Sequence, residues 1–187
     1  PGLQHASVVM CPTRGGKVAR LDAAAAQKLP GVKQVLAVAP YHGGTGGVAV
    51  IADTPWHAKK AAAAVTVEWD HGSAATLSSD TVMARLAQAL DETKGFGYHS
   101  AGDVDQAMQG AATSITADYR APYLAHAALE PINCTVQVQD GAAQVWTSTQ
   151  VPGLARMAAA KALGMDEEKV TVHQLLLGGG FGRRLEV

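Results

Sequence analysis

Residues Val170–Leu177, VTVHQLLL, run without a break into Gly178-Gly179-Gly180-Phe181-Gly182-Arg183-Arg184. The first eight are β-prone and predict a strand. The next seven predict a loop whose backbone N–H groups lack side-chain cover. Such a junction suits close approach to an anion or a cofactor oxygen, and Arg183 and Arg184 would add forked donors for a phosphate or carboxylate. A plainer reading stands beside it: a glycine-rich connector followed by two solvated arginines. The run is not a dinucleotide loop of the G-x-G-x-x-G kind, because Arg183 falls on the last glycine position counted from Gly178.

Working back from this junction, Val151–Leu163 predicts a helix stopped by Gly164. Asn133–Val138 and Ala143–Thr147 predict a hairpin around Gln139-Asp140-Gly141. Ser114–Arg120 predicts a strand, and Ala121–Pro131 an irregular segment. Further back, Val104–Met108 gives one helical turn and Asp91–Asp103 a linker or surface loop. Ser79–Leu90 predicts a helix with Val82, Met83, Leu86 and Leu90 on one face. The small polar residues from His71 to Thr76 suggest a boundary.

The N-terminal part reads as β-β-α-β-β-α-β, complete by Asp70. Its strands are expected at Gln4–Cys11, Lys17–Leu21, Val32–Ala39, Val48–Ala52 and Val65–Trp69. Asp22 can cap a brief helix through Gln27, and Thr54 followed by Pro55 caps a helix from Trp56 to about Ala64. A glycine-rich loop fills Pro40–Gly47.

Composition bounds the answer. The 187 residues allow one or two domains, and 48% hydrophobic residues suffice for a core built mostly from Val, Leu and Ala. Fifteen basic against sixteen acidic side chains leave a net charge of −1, which provides no field for nucleic acid or an anionic membrane. No stretch approaches the ~18 apolar residues of a membrane helix. Cys11 and Cys134 cannot build a disulfide framework or a four-cysteine zinc site, and two unpaired buried thiols are expected. The chain starts at Pro1, carries no signal-peptide pattern, and stops just after the glycine loop, so a piece of a longer protein is expected.

Other motifs fail. Thr13-Arg14-Gly15-Gly16-Lys17 lacks the first glycine and the hydroxyl residue of a phosphate loop. His126 and Glu130 lie four apart without an H-E-x-x-H pattern, and the histidines have no metal-finger spacing with the cysteines. Ser148 and His173 fit no nucleophile elbow.

Three segments together carry a resemblance: Ala125-His126-Ala127-Ala128-Leu129-Glu130-Pro131-Ile132-Asn133-Cys134, then Thr147-Ser148-Thr149-Gln150-Val151-Pro152-Gly153, then Gly178 through Arg184. In this order and spacing they resemble the molybdenum-binding subunit of the xanthine dehydrogenase and aldehyde oxidase family. Pro30-Gly31-Val32 and Val48–Thr54, with the alanine-rich helix that follows, look like that family's α/β hammerhead domain. The FGRR ending resembles the isoquinoline 1-oxidoreductase β-subunit branch.

The resemblance implies an α+β fold: a hammerhead-like domain over residues 1–72, a helix and linker over 73–110, and the start of a molybdopterin-binding domain over 111–187. It implies that Gln150 lies beside an oxo ligand of molybdenum, that Gly179 belongs to the cofactor-binding loop, and that the Gly180, Phe181 and Gly182 backbone packs against the metal's ligands. Arg183 or Arg184 would touch pterin or nucleotide phosphate, while Glu130 and Asn133 would shape the loop and Trp146 would belong to the core. No side chain here would bind the metal directly, and the family's catalytic glutamate is expected beyond Val187.

The implied cofactor is molybdenum held by molybdopterin, as a dinucleotide. The implied reaction oxidises an N-heterocycle or an aldehyde with water as the oxygen source. Two cysteines cannot hold iron–sulfur clusters, which implies a separate iron–sulfur subunit. Xanthine-oxidising relatives continue the FG pair with glycine, lysine and glutamate. Here Leu185 follows Arg183 and Arg184, and Glu186 comes one place late, which argues against purines. The isolated chain is expected to be inactive, and the compartment, bacterial periplasm or cytoplasm, stays open. Two rivals remain: an interaction module without cofactor, and a nucleotide-binding α/β domain using the Gly178 loop.

Overall fold

The computed structural model describes residues 2–41, 43–91 and 95–187. Residues 42 and 92–94, part of the loop expected at 40–47 and the linker expected at 91–103, lie outside them. The chain divides into two compact units, residues 1–76 with 126–187, and residues 77–125.

The larger unit opens with β1 (His5–Met10), β2 (Lys17–Asp22), α1 (Ala24–Gln27), β3 (Val32–Val38), β4 (Gly47–Ala52), α2 (Pro55–Ala62) and β5 (Thr66–Asp70). This is the order expected from the sequence. β4 lies between β1 and β3, antiparallel to both, and β2 pairs antiparallel with β5. The local signals explain the edges. Thr54 accepts the His57 N–H at 3.2 Å and Pro55 fills the first turn of α2. Asp22 sits at the end of β2, where its carboxylate accepts the Ala24 N–H at 3.0 Å.

Buried Val48 and Val50 of β4 meet Ala26, Ala61 and Ala62 from the two helices, and Val18, Leu21, Val67 and Trp69 close the cluster from the second sheet. Small alanines let α2 approach β4 closely, so the core is thin but dense. Near its edge, Cys11 is buried against Gly16.

The same unit resumes with β6 (Cys134–Gln139), β7 (Ala142–Thr147), α5 (Pro152–Leu163) and β8 (Val170–Gln174). β6 and β7 form the expected hairpin. Asp140 and Gly141 both have positive φ, 52° and 75°, as a type I′ turn requires. β7 pairs parallel with β8, and α5 is the crossover between them. Gly164 at φ 64° ends α5 in a Schellman motif, with the Met165 N–H donating to the Ala160 carbonyl at 3.0 Å. Ala143, Val145, Ala160 and Val170 form the small core here.

The other unit holds α3 (Ser79–Leu90) and α4 (Val104–Gln109). Ser78 and Thr81 cap α3 reciprocally. No residue of α3 is buried, and Leu86 and Leu90 of its apolar face are exposed.

Three expectations need correction. No strand forms over 114–120, which is irregular and exposed throughout. Its β-prone residues find no neighbouring strand to bond, and propensity alone does not hold an extended chain. The last strand ends at Gln174, not Leu177, because its ladder with β7 runs out at Thr147. Both cysteines are free, but only Cys11 is buried; Cys134 is exposed on the edge strand β6.

Candidate functional site

Three segments that are far apart in sequence meet at the end of β7 and β8. They are residues 126–133, residues 148–150, and the loop 178–185. A fourth contact, the Leu175 N–H donating to the Thr147 carbonyl at 3.0 Å, carries the chain from β8 toward the loop.

The loop is tightly turned. Gly179 and Gly182 have φ of 102° and 97°, where side chains are disfavoured. Phe181 also has a positive φ, 54°, and its ring is 75% exposed. A phenylalanine in the left-handed region carries strain of roughly 1–2 kcal/mol. The Arg183 N–H donates to the Gly180 carbonyl at 2.9 Å and the Leu185 N–H to the Gly182 carbonyl at 3.2 Å, which closes the turn.

Gln150 links the loop to the end of β7. Its side-chain Oε1 accepts the Gly182 N–H at 3.1 Å, and its own N–H donates to the Arg184 carbonyl at 3.1 Å. A Cβ on Gly180 would lie 2.8 Å from that Oε1. The approach therefore requires glycine. Gly178 is equally constrained, since a Cβ there would lie 2.5 Å from the Glu130 Cβ.

Arg184 is the buried centre of the site, at 2% exposure. A guanidinium has five N–H donors, and each has an acceptor within the chain. Nε donates to the Gly179 carbonyl at 2.7 Å. Nη1 donates to the Ser148 carbonyl at 3.2 Å and to Ser148 Oγ at 2.5 Å. Nη2 donates to the Glu130 carbonyl at 2.9 Å and to Glu130 Oε2 at 2.8 Å.

Glu130 in turn accepts the Gly178 N–H at 2.8 Å and the Ser148 hydroxyl at 3.2 Å. The Gly178 N–H holds the Glu130 carboxyl below the usual glutamate range, helped by the Arg184 guanidinium and the Ser148 and Asn133 donors, against partial burial. Asn133 also bonds the Pro131 carbonyl at 2.8 Å, which fixes the turn after Glu130. Arg183, by contrast, is half-exposed and pairs with Glu186 on the surface.

The structure thus brings Gln150, Gly179, Gly180, Phe181, Gly182, Arg183 and Arg184 into one small region. Sequence reasoning missed Ser148 as a partner of Arg184. No local signal marked it, because the contact spans 36 residues. Trp146 is half-buried on the sheet face away from α5, stacked on His173 with ring centroids 5.1 Å apart.

The loop amides are what a bound group would meet. Those of Gly178 and Gly182 are engaged, whereas those of Gly179, Gly180 and Phe181 have no acceptor among the described residues. Three successive free donors beside a glutamine amide suit the oxygen or sulfur atoms of a polar cofactor. Among the described residues, no group of three His, Cys, Asp or Glu side chains could hold a metal ion itself. The loop amides and the Gln150 side chain are instead donors and acceptors for the polar atoms of a larger ligand. No helix among the described residues is long and apolar enough to cross a membrane.

Comparison with known proteins gives the family. The profile of the molybdopterin cofactor-binding domain matches residues 87–187. The isoquinoline 1-oxidoreductase β subunit of Brevundimonas diminuta is 31% identical over 100% of this chain and 24% of its own length. A membrane-bound aldehyde dehydrogenase of Gluconacetobacter polyoxogenes, named for pyrroloquinoline quinone, is 34% identical over 98% of this chain and 24% of its own. The chain spans about a quarter of the length of these relatives. Among solved structures, the aldehyde oxidoreductase of Desulfovibrio gigas aligns over 100% of this chain and 24% of its own, with a TM-score of 0.69 at 16% identity. Quinoline 2-oxidoreductase of Pseudomonas putida 86 aligns over 98% of this chain and 28% of its own, with a TM-score of 0.64 at 19% identity. Both share the fold.

Proposed function

Because the chain belongs to the molybdopterin cofactor-binding domain family, among the molybdenum-binding subunits of the xanthine dehydrogenase and aldehyde oxidase type, we propose that Gln150 and the Gly178–Arg183 loop form part of the cofactor cradle of a hydroxylase acting on N-heterocycles or aldehydes. Arg184, expected beside pterin or phosphate, stands behind that surface, with all its N–H donors taken within the chain. One observation carries the proposal. Gln150 is tied to the Gly182 amide beside three unpartnered loop amides, so its side chain and the loop backbone present one fixed donor and acceptor surface.

When bound, the molybdenum cofactor supplies two-electron oxidation of an electron-poor carbon, with oxygen drawn from water. The residues of this chain bind and orient. Gln150 Oε1 is held by Gly182, which leaves its amide NH2 as a donor toward the cofactor. Gly179 and Gly180 keep side chains out of the approach, and Phe181 holds an exposed apolar ring beside it. The base lies beyond Val187 in this reading, so residues 1–187 alone do not turn over substrate.

The same reading assigns residues 1–72 to a hammerhead-like domain, 73–110 to a helix and linker, and 111–187 to the opening of the cofactor domain. The β-β-α-β-β-α-β order over His5–Asp70 supports the first assignment. The profile match starts earlier than the last, at residue 87. In the same reading a separate iron–sulfur subunit takes the electrons.

The test is turnover by the full-length parent, purified with its partners, in 18O-labelled water. The account expects an N-heterocycle or an aldehyde to gain one labelled oxygen. Label drawn from dioxygen, or oxidation of neither class, would reject the proposed reaction.

A further inference from the structure

We propose that Arg184, Glu130 and Ser148 are positioning residues: a buried clasp that sets where Gln150 and the glycine loop stand, without any of the three touching the cofactor. The inference rests on the cofactor reading above.

The Arg184 guanidinium is saturated by acceptors from three segments, at Glu130, Ser148 and Gly179. It is 2% exposed and has no N–H left for a phosphate. Its main-chain carbonyl accepts the Gln150 N–H and the Thr149 hydroxyl, at 3.1 and 3.3 Å. One residue therefore fixes both sides of the candidate cradle. Its side chain holds the loop at Gly179, and its backbone holds Gln150.

Glu130 completes the clasp by gripping Gly178, the first residue of the loop, and Arg184 near its end. Ser148 Oγ accepts from Arg184 and donates to Glu130, so its single hydroxyl is used in both directions. A buried guanidinium stripped of its carboxylate is strongly destabilised, so the parts act together. Lysine could not replace Arg184. Its compact ammonium cannot reach acceptors in three directions from one plane.

The test uses the full-length parent with Arg184→Lys, Glu130→Gln and the milder Ser148→Ala, in two states. In cofactor-free protein, hydrogen exchange of the bonded amides of Gly178, Gly182, Arg183 and Leu185 is expected to speed at least tenfold in the first two variants and about threefold in Ser148→Ala. Exchange across 47–52 should stay unchanged. In loaded protein, the spectrum of the one-electron-reduced molybdenum should shift its g-values in all three variants, and cofactor loss on gel filtration should rise at least threefold.

Unchanged exchange of the bonded loop amides overturns the clasp. Faster exchange with unchanged spectra and retention overturns its action on the cofactor and leaves a purely structural network. If Arg184→Lys fails to fold, Ser148→Ala decides by the same two readings. Absence of pterin from the wild type would instead defeat the cofactor reading, which the exchange experiment does not depend on.

Discussion

Gln150 accepts the Gly182 N–H at 3.1 Å across 32 residues of sequence. This bond joins the end of β7 to the glycine loop after β8, and it fixes the rotamer of an otherwise exposed side chain. A glutamine held by its oxygen has a defined amide direction. Parallel pairing of β7 and β8 makes the bond possible, because it delivers both strand ends to the same edge of the sheet.

Gln150→Ala should weaken cofactor retention in the full-length parent about fivefold to tenfold, as expected for one lost hydrogen bond of roughly 1 kcal/mol. Pterin and molybdenum per chain after dilution measure it. Gly182→Ala should do worse, because its φ of 97° adds backbone strain to any side chain.

Acid should open the loop through Glu130. Its carboxyl is held below its ordinary value, so the clasp's contribution is complete above the unfolded glutamate value near ~4.3. That contribution is lost as pH falls through the lower, folded value. Protection across 176–186, measured against the intrinsic exchange rate at each pH, should therefore fall on acidification below about pH 4. Glu130→Gln should show low protection at neutral pH, with that protection nearly flat over the same window.

Gly16→Ala should destabilise the larger unit by about 1–3 kcal/mol through overpacking. The added Cβ would lie 2.4 Å from Cys11 Sγ and 3.0 Å from the Asp70 carbonyl. Adding Cys11→Ala should recover part of the loss, because it removes the nearer clash. Urea midpoints of the single and double variants check this, and equal midpoints for both would contradict the packing account.

Val50→Ala should cost roughly 2 kcal/mol, since Val50 is fully buried in the β4 core. Val136→Ala on edge strand β6, every residue of which is exposed, should cost about 0.5 kcal/mol or less. Thermal unfolding distinguishes the two.

Much of the fold was legible because its signals are local. Thr54-Pro55, Asp140-Gly141 and Gly164 each dictate a backbone state through their own chemistry, and each does so where expected. Residues 114–120 misled because β-prone residues make a strand only when a partner exists to pair with them. Cys134 misled similarly, since its exposure depends on β6 being an edge, which no local pattern reveals.

At the site, the glycine run and Gln150 could be read from their order along the chain. The role of Ser148 could not. Its importance lies in meeting Arg184 across 36 residues, a property of the folded path alone. Likewise, nothing in the pair Arg183-Arg184 says which side chain is buried. The turn at Gly182 decides it, sending Arg184 inward and Arg183 to the surface.

The central claim is tested most directly by metal and pterin analysis of the full-length parent, purified with its partners from cells shown to make active molybdenum enzymes. The account predicts about one molybdenum and one pterin per chain, with both reduced in Gln150→Ala. Metal-free protein, or protein loaded with a quinone in place of pterin, would contradict it.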